Sequence, residues 1–237
     1  VNVAVPTGNF GNILAAYYAK EMGLPIAKLI CASNDNRILT DFFQTGAYDR
    51  RRQLMTTSSP SMDILISSNL ERFIYHTSGE DDQLIIEKMS ELSKEGFYHY
   101  QEETDLVYPD MATEEEISYW INQLHKEEDY IMDPHTAVAY CAYKKYCELT
   151  KDHNFTMIAS TASPYKFSDK VLKSLGEVSS GNDEFEKLGR LSELMHGQVP
   201  SKLAELESLP VVHDHLCDPV NMKEVTLELL KGGAHHD

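Results

Sequence analysis

The residues best placed to do chemistry lie at the start of the chain. They are Val3-Ala4-Val5-Pro6-Thr7-Gly8-Asn9-Phe10-Gly11-Asn12, followed by Ile13-Leu14-Ala15-Ala16-Tyr17-Tyr18-Ala19-Lys20. The short apolar, β-branched run reads as a buried strand, Gly8 and Gly11 as a turn, and the Ala-rich segment as a helix. Strand, glycine turn and helix in that order make an anion cradle. The first-turn N–H groups of such a helix lack partners and carry the positive end of its dipole. Glycines let backbone approach a phosphate closely, and Asn9 and Asn12 can add donors. The spacing is neither a Walker A loop, which needs Gly-Lys-Ser/Thr, nor the Gly-x-Gly-x-x-Gly of dinucleotide folds. A tight strand-to-helix turn with no ligand fits the same residues.

Other reactive side chains are sparse. Cys31, Cys141, Cys147 and Cys217 form no Cys-x-x-Cys pair, and they read as buried free thiols of a reducing cytoplasm. His213-x-His215 and His235-His236 lack a Cys or carboxylate partner at a recognised spacing, so no metal is expected. His135, at the start of a helix, reads as a capping or packing residue. The formal net charge of −17, from 21 Lys+Arg against 38 Asp+Glu, argues against nucleic acid or an anionic membrane as a main partner. Arg50-Arg51-Arg52 is the one tight basic cluster and reads as a solvated loop. No apolar run reaches membrane-spanning length, and no signal-peptide pattern is read at the front.

The elements that must position the cradle follow from period and punctuation. A helix from about Asn12 to Met22 stops at Gly23 with Pro25 beyond. Ile26 to Ala32 is a second buried strand, which makes a βαβ unit of a parallel sheet. Ser33-Asn34-Asp35-Asn36 then sits at that strand's carboxyl end, where open α/β sheets bind ligands, although its short polar side chains also suit a helix cap. The hydroxyl run Thr56 to Asp63 reads as a loop, and Phe155 to Ser160 as another buried strand ending in Thr161-Ala162-Ser163-Pro164. Acidic helical segments, Asp81 to Gly96 and Thr113 to Lys126, flank a Tyr- and Glu-rich connection, with a capping box at Thr113. The expected fold is α/β: a largely parallel, helix-flanked sheet with a helical insertion. Residues 1–75 are expected to form the phosphate-cradle segment, 76–129 the insertion, and 130–237 the rest of the same domain with C-terminal helices.

Five motifs, in order along almost the whole chain, resemble the threonine synthase family. They are Thr7 to Asn12; Ala32-Ser33-Asn34-Asp35-Asn36; Ser59-Pro60-Ser61-Met62-Asp63-Ile64; Asp133-Pro134-His135-Thr136-Ala137-Val138-Ala139-Tyr140; and Ser160-Thr161-Ala162-Ser163-Pro164-Tyr165-Lys166-Phe167. That family uses pyridoxal 5'-phosphate on the type II fold and converts O-phospho-L-homoserine and water to L-threonine and phosphate. The resemblance implies that Gly8, Asn9, Phe10, Gly11 and Asn12 hold the cofactor phosphate, largely through backbone N–H groups. It also implies that the Thr161 hydroxyl faces the pyridine nitrogen. Ser163 stands where the family usually has His, so no catalytic role rests there. Asn34, Asn36, Ser59, Ser61 and Asp63 are candidates for the substrate side of the cleft, with capping and turn roles as alternatives.

The family's Schiff-base lysine lies upstream of the phosphate loop. None of Lys20, Lys28, Lys88, Lys94, Lys126, Lys144, Lys145, Lys166 and Lys170 stands in the expected setting. The chain is therefore expected to be the C-terminal half of a longer enzyme, inactive alone, with the N-terminal half as its natural partner. An apolar face left bare by that half would drive self-association. A standalone phosphate- or nucleotide-binding module is the alternative.

Overall fold

The computed structural model describes residues 1–101, 104–177, 183–212 and 215–232. Along the chain, β1 (Asn2–Pro6) leads into α1 (Gly11–Glu21), β2 (Lys28–Ser33), α2 (Ile38–Thr45) and β3 (Ala47–Asp49). Then come α3 (Leu70–Thr77), α4 (Asp82–Glu95), β4 (Phe97–His99), β5 (Val107–Met111) and α5 (Glu114–Glu128). α6 (Pro134–Thr150), β6 (Thr156–Ile158), α7 (Ser168–Ser174) and α8 (Glu184–Leu194) complete the first unit.

The main sheet has the order β5-β2-β1-β6, and every pairing in it is parallel. β1, Asn-Val-Ala-Val-Pro, is buried along its whole length, as an interior parallel strand must be. Alternation sorts its side chains. Val3 and Val5, with Leu29 and Cys31 of β2, enter one core beneath α1 to α4. Ala4, with Ile30 and Ala32, enters a second core with Ala137, Val138 and Ala142 of α6. Helices therefore cover both faces, and β1 to β2 crosses on one face while α6 precedes β6 on the other. The crevice between the carboxyl ends of β1 and β6 is the switch point where such sheets bind ligands.

Helix starts follow their side-chain caps: Asp81 accepts from Leu84 N–H, Thr113 forms the predicted capping box with Glu116, and Asp133 accepts from His135 and Thr136 N–H. Trp120 packs beside the buried Ile117 and Ile121, its ring 5.3 Å from that of Tyr140.

Two features depart from the sequence reading. The stretch 76–129 is largely helical, yet Val107–Met111 enters the main sheet as the edge strand beside β2, pairing from Leu29↔Val107 to Ser33↔Met111. Pro109 cannot donate to a ladder and is tolerated only at such an edge, which disguised the strand. The compact unit that carries the sheet ends at Val199, and Pro200–Asp237 clusters apart, whereas the sequence grouped 130–237 together. That second unit contains α9 (Ser201–Ala204) and α10 (Met222–Gly232). Gly233, His213, His235 and His236 lie outside the described residues.

Cys31 and Cys141 are buried, Cys147 half-buried and Cys217 exposed, so burial holds for two of the four thiols. Burial pushes the Cys31 thiol up to about 12, against a hydrogen bond from Thr7. Arg50 to Arg52 form the loop expected, with Arg51 exposed, and Arg51 and Arg52 pair there with Asp49 and Asp41 at 2.8 and 2.7 Å. Among the described residues no group of His, Cys, Asp or Glu is arranged to hold a metal, and no helix is long and apolar enough to cross a membrane.

Candidate active site

A cavity of about 260 Å³ opens at the carboxyl ends of β1 and β6. Its floor is Val5 to Asn12, one wall is Ser61, Met62 and His135, and the other is Thr161, Ala162 and Lys166. All six residues assigned to the cofactor by sequence, Gly8, Asn9, Phe10, Gly11, Asn12 and Thr161, line it. Among the described residues no carboxylate does, in a chain of net charge −17. Lys166 is the one lysine among those lining residues, with Nζ 5.5 Å from the centre of the Phe167 ring.

The loop between β1 and α1 is oriented by its carbonyls. Gly8 O accepts from Ser67 Oγ at 2.8 Å, and Asn9 O accepts from both Asn69 Nδ2 at 2.7 Å and Asn69 N–H at 3.2 Å. The acceptor side of the loop is thereby tied to the segment before α3. The donor side is left over: among the described residues, no backbone N–H from Gly8 to Ile13 has a protein acceptor. A helix start with spare N–H groups facing a carboxylate-free cavity suits a phosphate dianion.

Phe10 makes the turn possible. Its backbone is left-handed, with φ of 60°, at the N-cap of α1. Such a conformation costs a non-glycine residue about 1–2 kcal/mol. The ring is 1% exposed and packs against Phe43 and Phe73 at 5.9 and 5.4 Å, and burial of that size contributes about 2–3 kcal/mol in return. Phe10 thus offers its amide to the cavity while its side chain anchors the loop to the core.

The sequence reading gives both glycines one purpose, and the structure separates them. A Cβ on Gly8 would meet Ser61 O at 2.9 Å and Met62 Cα at 3.3 Å, so Gly8 is demanded by the chain's own 59–63 segment. A Cβ on Gly11 would meet nothing closer than Asn69 Nδ2 at 3.8 Å, so protein packing leaves that position free for a ligand.

The five residues assigned to substrate divide differently. Ser61 lines the cavity, but Asn34, Asn36, Ser59 and Asp63 do not. Asn34 Nδ2 donates to Ser59 Oγ at 2.9 Å and Asp63 Oδ1 at 2.8 Å, and Asn36 Nδ2 donates to Asp63 Oδ1 at 2.9 Å and Met55 O at 2.8 Å. Thr57 completes the ring, giving its hydroxyl to Asp63 Oδ1 at 2.7 Å and its N–H to Oδ2 at 2.8 Å. Their polar capacity is turned inward. They build the shelf that carries Ser61.

Residues 136–220 match the family model described as threonine synthase, C-terminal. A threonine synthase-like 1 protein of Macaca fascicularis is 40% identical over 233 residues, covering 94% of this chain and 29% of its own. The crystal structure of threonine synthase from yeast superimposes with a TM-score of 0.81 at 32% identity, covering 98% of this chain and 48% of that one. The chain is similar in sequence and fold to the C-terminal part of the threonine synthases. A second threonine synthase structure, the PLP-bound enzyme from Brucella melitensis, aligns with a TM-score of 0.70 at 32% identity over 87% of this chain and 45% of that one. The chain spans less than half the length of each of these relatives, matching their C-terminal part, and its α/β fold is that of the threonine synthases.

Sequence reasoning missed four contributors to the site. Ser67 and Asn69 fix the loop from behind, and their signal was the Ser67-Ser68-Asn69 run just before a helix. Lys166 and His135 reach the cavity from segments more than a hundred residues downstream, a proximity that no local pattern encodes.

Proposed function

We propose that the chain is the cofactor-phosphate-holding part of a threonine synthase, which converts O-phospho-L-homoserine and water to L-threonine and phosphate with pyridoxal phosphate. One observation carries the reading: the N–H groups from Gly8 to Asn12 have no protein acceptor among the described residues, and those residues line a cavity whose described lining has a lysine and no carboxylate. Gly8 to Asn12 would hold the phosphate, and the Thr161 hydroxyl would serve the pyridine nitrogen. A hydroxyl cannot hold that nitrogen protonated as a carboxylate would. When bound, the cofactor supplies an electron sink for proton removal beside the substrate amine. Lys166 would add a full positive charge for a bound anion, and Ser61, on the facing wall, would meet the substrate. Asn34, Asn36, Ser59 and Asp63 would act on the substrate only through that shelf.

The resemblance puts the Schiff-base lysine upstream of the phosphate loop, so this chain alone would bind cofactor without turnover. The missing half of the enzyme is the proposed partner, and without it copies of the chain would self-associate. The outer edge of β6 supports this, since Phe155 and Met157 beside it are 70% and 44% exposed.

The test is the full-length gene product, loaded with pyridoxal phosphate and given O-phospho-L-homoserine. Equal release of L-threonine and phosphate is expected. Phosphate release without threonine would indicate a different elimination. No phosphate release, with saturable nucleotide binding, would replace the proposal with a binding module.

A further inference from the structure

We infer that His135 is a positioning residue for the phosphate cradle, acting through the backbone of Ser61; the inference rests on the phosphate reading proposed above. His135 is 2% exposed and lines the cavity, and its Nε2 accepts the Ser61 N–H at 3.3 Å. An imidazole nitrogen that accepts carries no proton, so the neutral ring bears its hydrogen on Nδ1. Nδ1 stands 3.3 Å from Asp133 Oδ1, outside hydrogen-bond alignment, and is otherwise unpartnered among the described residues.

The Asp133 carboxylate is itself fixed. It accepts from the N–H groups of His135 and Thr136 at 2.8 and 3.3 Å and from the Thr136 hydroxyl. Burial alone would raise its pKa, and the hydrogen bonds from His135 and Thr136 outweigh that and hold it below the usual carboxylate range. The ring plane is set from the other side by Phe167, with centroids 4.9 Å apart. The backbone of His135 is therefore tied to Asp133 and its ring packed against Phe167, and its one acceptor lone pair takes the Ser61 N–H.

What Ser61 does explains why that lone pair matters. Its carbonyl is the atom that a Cβ on Gly8 would strike at 2.9 Å, so Ser61 sets how far Gly8, and the donors after it, can settle. The line of force runs from Asp133 to His135, to Ser61, to Gly8. Removing the acceptor leaves the Ser61 N–H without a protein partner and frees the shelf to lift from the loop. The cradle then loses its shape while the two cores stay as they are.

The experiment compares three substitutions in the 237-residue chain, with inorganic phosphate as the probe by equilibrium dialysis and exchange of the Ser61 amide by NMR. His135→Gln keeps an acceptor near the place of Nε2. His135→Asn keeps the amide but falls short of Ser61, and His135→Leu has no acceptor. Phosphate affinity is expected to fall tenfold or more in the Asn and Leu variants and to stay within threefold of the parent in the Gln variant. Ser61 amide protection should follow the same order. Equal affinity in Gln and Asn variants, or unchanged Ser61 protection in the Asn variant, would overturn the inference. If the parent chain binds no phosphate, the functional reading fails, while Ser61 protection still decides whether His135 positions the shelf. The contrast between Gln and Asn is decisive even where the Leu variant does not fold.

Discussion

At 8–12 the backbone lines a cavity and its donors find no acceptor among the described residues, whereas at 34–63 the side chains of Asn34, Asn36, Thr57, Ser59 and Asp63 close on one another. Both regions lie at the carboxyl ends of strands, and both are rich in Asn, Gly or Ser. What distinguishes them is surplus. A buried polar group left without a partner costs roughly 1–3 kcal/mol. The fold meets that cost within the shelf by internal bonds and leaves the loop's donors for a ligand. Residue type alone does not mark a binding site; unused hydrogen-bonding capacity does.

Three substitutions would break or sharpen this contrast. Asp63→Ala should have the largest effect, because it strips the acceptor from Asn34, Asn36 and both donors of Thr57. A loss of about 3 kcal/mol is expected, since the Thr57 N–H is left without an acceptor and three further donors lose one of theirs, and urea denaturation would read it. A loss under about 0.5 kcal/mol, the scale of an ordinary surface change, would show that the network is not structural.

Gly8→Ala comes next. Its new Cβ has only backbone to push against, Ser61 O at 2.9 Å and Met62 Cα at 3.3 Å. Overpacking of this kind costs about 1–3 kcal/mol, and phosphate binding should weaken in the same variant. Unaltered melting and unaltered binding would refute the contact between shelf and loop.

Gly11→Ala is the smallest in stability and the most telling. With its nearest neighbour at 3.8 Å, the methyl group should change unfolding free energy by no more than about 0.5 kcal/mol. It stands where a ligand would sit, so affinity for phosphate should still fall. Equal affinity in parent and variant would place the anion elsewhere.

The α/β class was legible because its signals are local. β1 and β2 read as buried apolar runs, and Asp81, Thr113, Asp133 and Asp183 each cap the helix that follows them. The cradle was legible for the same reason, since strand, turn and helix lie next to one another in the chain. β5 was not: Val-Tyr-Pro-Asp-Met has neither a clean alternation nor an apolar run, and its place beside β2 is a tertiary fact. The inward role of Asn34 was hidden too, because its acceptor Asp63 is 29 residues away. Satisfaction of a polar group is a property of the folded neighbourhood, not of the stretch that contains it.

The parallel register carries a consequence for how the molecule is made. Asn2 pairs with Lys28 on one side and with Thr156 on the other. A ribosome adds about 5–20 residues per second, so β1 waits roughly 8–30 s after its own synthesis before its second neighbour exists. Throughout that interval an apolar strand meant for the interior has one bare edge, the condition under which nascent chains aggregate. Holding that edge until Thr156–Ile158 emerges is work for a chaperone, and depletion of one should leave this chain insoluble sooner than a helical protein of equal size.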